Sequence, residues 1–178
     1  MRKLLLALAC VAGLSTGVAA ASDAPSANRE AASMSQAMMQ AIMVQSMQVF
    51  DVAEDVGFDE AIESMKLRAN TLNFKMVADL PLSKQVEAMG LPARPMQILA
   101  FCDAAIANEM VRFNIIFAGY LPCRIAIVQD EAGHNRLITL NMDMMVNAID
   151  LPPDLRRKAE QVRDTIYSIV DAGVHGDL

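Results

Sequence analysis

The apolar residues of this chain change period abruptly near residue 73. Phe58, Ile62, Met65, Ala69 and Leu72 recur at helical spacing, while Asp59, Glu60, Glu63, Lys66 and Arg68 lie off that stripe. Immediately afterwards Phe74, Met76, Ala78 and Leu80 alternate with Lys75, Val77 and Asp79. A period near 3.6 marks an amphipathic helix, and a period of 2 marks a half-buried strand. Few architectures accept a helix and a strand joined so closely, because each has one apolar side that must be buried against another element.

The flanking segments extend this pattern. Residues 31–43, rich in Ala, Met and Gln, read as a helix, and residues 46–53 favour a first strand. Pro81 stops the second strand, and a short helix is expected with Ser83 as N-cap, running to Met89 with Gly90 just past its end. Residues 96–102 form an apolar run broken only by Gln97, fit for a strand buried on both faces. Asp103 is a good N-cap for a helix over residues 104–113. Gly119 and Pro122 bracket the return, in which Ile115, Ile116 and Phe117 look extended. Strands over residues 124–129 and 136–141 flank a turn-rich segment and predict a hairpin. Asp143 can cap a short helix. Pro152 and Pro153 open the last one, with Leu155, Ala159, Val162, Ile166 and Ile169 as its stripe and Gly173 as its end. The expected fold class is α+β, one sheet with helices packed on one face.

The N-terminus carries an export signal in this reading. Arg2 and Lys3 precede an apolar stretch over residues 4–14, Cys10 included, and small residues at 18–21 offer a cleavage site. The stretch is shorter than the roughly 20 residues a spanning helix needs. The expected organisation is a signal peptide over 1–20, a flexible leader and Met-rich helix over 21–46, a folded domain over 47–173 and a tail over 174–178. The expected location is the periplasm, with no stable membrane insertion after cleavage. Losing Arg2 and Lys3 takes the formal charge from −6 to −8. An acidic chain is a poor partner for nucleic acid, which recruits clustered Lys and Arg.

Two cysteines of the folded part stand out. Cys102 ends a predicted strand beside the helix start at Asp103, where a thiolate would be stabilised. Cys123 follows Pro122. A disulfide suits an exported chain with an even cysteine count. Inert thiols and a redox or soft-metal site are the other readings. Proximity of the pair is expected if residues 114–122 run back extended, because the two strands are then antiparallel.

Methionine is abundant, at fourteen residues. Met34, Met38, Met39, Met43 and Met47 form one group, and Met142, Met144 and Met145 another. A thioether can hold Cu(I), but methionine at helical spacing reads first as a buried face. The 31–43 helix is apolar enough to need a partner, its own domain or a second subunit. His134 and His175 are expected in a turn and a tail, both solvated. No Ser-His-Asp set, His-x-x-x-His pair or phosphate loop is present.

Four pieces in order carry a family resemblance. They are the helix from Phe58 leading into Asn73-Phe74, the segment Pro95-Met96-Gln97-Ile98-Leu99-Ala100-Phe101-Cys102, the triplet Leu121-Pro122-Cys123, and the hairpin with its closing helix. Over residues 47–172 the chain resembles the bacterial domain of unknown function 302 family. In that family the cysteines are usually followed by Asn-Pro and by Asn; here Cys102 is followed by Asp103-Ala104 and Cys123 by Arg124. The resemblance implies a two-layer α/β sandwich, often dimeric, and no established activity.

The functional expectation is a non-enzymatic periplasmic binding or accessory protein. It acts as a homodimer on an unknown small ligand or protein partner, through Cys102, Asp103, Cys123 and Arg124. The alternative is a cysteine-based redox or soft-metal protein handling copper or haem. No cofactor is specified by the residues.

Overall fold

A computed structural model describes residues 26–177. The expected signal peptide, at residues 1–20, lies outside the described residues. The elements in order are α1 (Ser26–Gln45), β1 (Met47–Asp51), α2 (Phe58–Thr71), β2 (Lys75–Leu80), α3 (Leu82–Ala88), β3 (Met96–Cys102) and α4 (Ala104–Phe113). A 3-10 turn (Ile115–Tyr120) follows, then β4 (Cys123–Gln129), β5 (Asn135–Leu140), α5 (Met142–Asn147) and α6 (Pro153–His175). The strands form one antiparallel sheet in the order β1-β5-β4-β3-β2. With its helices it makes the expected two-layer α/β sandwich of the α+β class.

The chain divides into two units, residues 1–39 and 40–178. Of the first unit, α1 begins at Ser26, so residues 26–30 are helical rather than part of a leader. Met34, Met38 and Met39 are exposed on α1, as is Met43 beyond the unit boundary.

The core of the second unit lies between one face of the sheet and α2 with α6. Leu99, Phe101, Ile125, Ile127 and Leu137 project from the central strands onto Ile62, Met65, Ala69, Ile166 and Ile169. The α2 stripe read from the sequence is the packed one, apart from Leu72, which is exposed. β2 is an edge strand, and Met76, Val77 and Leu80 remain exposed despite their alternation. β3 is not buried on both faces along its length. Only Leu99, Ala100 and Phe101 are fully enclosed.

Three local expectations change for physical reasons. Pro81, not Ser83, precedes α3; the Ser83 hydroxyl instead donates to the Met96 carbonyl at 3.3 Å. Asn141, not Asp143, caps α5, accepting from the Met144 amide at 2.9 Å. Gly173 does not end α6, which runs to His175 with Gly176 as its left-handed cap. His175 therefore sits in the last helical turn rather than a tail, and His134 stays exposed in the hairpin turn as expected.

Gly173 has a packing role. A Cβ there would sit 2.7 Å from Met65 Cγ and 3.0 Å from Leu137 Cδ1, so only glycine lets α6 approach α2 and the sheet this closely. Gly173→Ala is expected to destabilise the fold by about 1–3 kcal/mol, the usual cost of overpacking. Chemical denaturation reads this, and an unchanged midpoint would mean that Met65 simply turns aside.

Candidate functional site

The site is built where β3 ends and β4 begins. The Asp103 carboxylate accepts from the amides of Ala105 at 2.9 Å and Ile106 at 3.0 Å, so it caps α4 as expected and fixes its departure from Cys102. The return does not run extended. Asn114 Oδ1 accepts from the Ile116 amide at 3.0 Å and starts a 3-10 turn, and the Phe117 ring packs 6.5 Å from that of Phe113. The compact return still delivers an antiparallel β4, with Phe101 opposite Cys123.

Cys102 is one residue beyond the partner of Cys123. Antiparallel sheet geometry puts their Cα atoms roughly 6 Å apart. That Cα separation lies in the disulfide range, but the one-residue offset means that strand alternation does not aim the two side chains at each other, and both thiols are free. The expected proximity therefore holds, although the route that produces it differs from the one the sequence suggested.

Both cysteines line an apolar cleft of about 80 Å³. Ile106, Ala107 and Met110 of α4 form one wall, and Phe117, Tyr120 and Leu121 of the return another. Met142, Met145 and Val146 of α5 face them, with Ala159 and Val162 of α6 behind and Phe74 beside the strands. Polar anchors hold these walls together. Tyr167 of α6 donates to Asp143 at 3.1 Å, Arg163 pairs with the same carboxylate at 3.4 Å, and Lys158 pairs with Glu109 of α4 at 2.6 Å.

The expected site residues separate. Cys102, Asp103 and Cys123 share the cleft, but Arg124 does not line it; alternation along β4 turns Arg124 to the exposed side while Cys123 is buried. The expectation of a stabilised Cys102 thiolate is overturned. Burial, and then the neighbouring Asp103 charge, push the Cys102 thiol above its ordinary value. Burial, with Cys102 second, pushes the Cys123 thiol up to about 11. Loss of hydration and a nearby negative charge outweigh the helix N-terminus, which Asp103 already neutralises.

Sequence reasoning missed Met110, Phe117 and Tyr120, which sit on segments with no chemical motif. It noticed Met142 and Met145 but had no means of placing them beside the cysteines. Among the described residues no three His, Cys, Asp or Glu side chains group to hold a metal ion, and no helix is long and apolar enough to cross a membrane.

Comparison with known proteins agrees with this architecture. A crystal structure of an uncharacterized conserved DUF302 protein from Bacillus stearothermophilus is similar at 21% identity, with a TM-score of 0.59 over 71% of this chain and 97% of that one. At that identity the likeness shows the fold. No curated protein matches the sequence. The profile of the domain of unknown function DUF302 matches residues 50–173, most of the sequence and nearly the whole of the sandwich, and the chain belongs to that family.

Proposed function

We propose that this chain is an exported, non-enzymatic binding protein whose ligand occupies the cleft between the cysteine-bearing strand ends, α4 and α5. One observation carries the reading: a concave apolar site whose single carboxylate among the described residues, Asp103, is committed to capping a helix. Binding sites are typically apolar clefts with a few polar groups, whereas acid–base catalysis needs a titratable side chain free to move a proton. Thiols held protonated at neutral pH are weak nucleophiles, which disfavours the redox alternative. The residue pattern at 2–21 supports export to the periplasm. The exposed methionines of α1 support a homodimer as the working form, which sedimentation reads directly.

The chain has no tryptophan, so indole fluorescence can report occupancy without background. Indole is expected to bind saturably at one site per chain with a blue-shifted emission. Ala107→Phe, which fills the cleft from α4, should weaken it at least tenfold while leaving the melting temperature within a few degrees. Binding that never saturates, or that ignores the substitution, overturns the reading.

A further inference from the structure

Five sulfur-bearing residues from four elements line this cleft. Cys102 and Cys123 come from adjacent strands, Met110 from α4, and Met142 and Met145 from α5. We propose that the cleft is a binding site for a soft monovalent cation, Cu(I), held by thiol sulfur and methionine thioether. This rests on the reading that the cleft is the ligand site and names the ligand's class.

Ligand chemistry supports the choice. Soft sulfur donors select Cu(I), and a thioether binds it without losing a proton. Among the described residues that line the cleft, Asp103 is the only carboxylate and already accepts two amide hydrogen bonds, and none is a histidine, so harder divalent ions find no donor set there.

The charge balance selects the stoichiometry. A buried site tolerates a neutral assembly far better than a charged one. One thiolate and one Cu(I) sum to zero, and thioethers complete the shell without adding charge. On binding, one S–H bond breaks, one S–Cu bond forms and the proton leaves to solvent; no electron is transferred. Cys102, half-buried where Cys123 is buried, is the thiol with the easier path for that proton. Metal binding drives such deprotonation even where the free thiol is protonated.

The test titrates the purified full chain, without oxygen, against the Cu(I) complex of bathocuproine disulfonate. One Cu(I) per chain should be withdrawn, with about one proton released for each at pH 7. Met142→Leu combined with Met145→Leu keeps the cleft apolar and should weaken Cu(I) at least tenfold while changing indole affinity less than twofold. Cys102→Ala should weaken Cu(I) at least a hundredfold. On the unsubstituted chain, Cu(I) should slow alkylation of Cys102, a readout independent of whether any variant folds. Unaltered affinity in both variants, or loss of Cu(I) only when Met34, Met38, Met39 and Met43 are replaced by Leu, overturns the proposal. Indole binding without Cu(I) withdrawal overturns the Cu(I) site alone. Failure of both ligands overturns the cleft reading as well.

Discussion

Phe101→Ala is expected to cost about 3–5 kcal/mol of stability, the range for deleting an aromatic side chain from a packed core. Phe101 is fully buried in β3, between β2 and β4, on the sheet face that meets α2 and α6. Its ring is held from several sides, so the surroundings have little freedom to collapse into the void. Met76 is the contrast: it pairs with Phe101 on the edge strand but is 44% exposed. Met76→Ala should cost less than about 1 kcal/mol, as exposed sites generally do. Urea unfolding with a lower midpoint and an unchanged slope would establish the difference as one of stability. Equal costs at the two positions would contradict this placement of the core.

Cys123 is expected to resist alkylation well into the alkaline range and to make the fold alkali-sensitive. Its thiol is raised to about 11 from an ordinary 9, chiefly by burial. The folded state favours the neutral thiol, so this stabilisation is fully present below pH 9. It is lost as pH climbs from 9 through 11, where the unfolded chain sheds its proton more readily. A shift of this size corresponds to roughly 2–3 kcal/mol at its fullest. Labelling with iodoacetamide, resolved by mass spectrometry, should modify the more accessible Cys102 first and reach Cys123 only near pH 11. Cys123→Ala should flatten the alkaline fall in stability. A Cys123 labelling midpoint near 9 would show that the thiol is hydrated, and the cleft would then be wetter than its lining indicates.

Both predictions depend on how much was legible before folding. The period switch at residue 73 placed α2 and β2 to within a residue or two, because periodicity is written in residues that are neighbours along the chain. Asp103 was legible as a cap for the same reason: its hydrogen bonds reach only two and three residues ahead. The 3-10 turn was not, since Ile115, Ile116 and Phe117 are as apolar as a strand, and the side-chain cap from Asn114 together with the Phe113–Phe117 contact decides the matter.

Ser83 shows how a distant partner can redirect a local signal. Its hydroxyl bonds to Met96, thirteen residues away, so a residue well suited to capping does something else. The pairing of two-layer core and helices followed from amphipathicity alone, which requires each apolar face to find another. The cleft did not follow. Cys102 and Cys123 meet through the β3–β4 register, Met142 and Met145 reach them because Tyr167 and Arg163 hold α5 to α6, and Arg124 is excluded by alternation along β4. Local physics acts within a helical turn or a strand's pleat and is readable from the chain. The site's sulfur atoms, and the burial that keeps its thiols protonated, come from segments up to about forty residues apart, and only the packed sheet and helices bring them together.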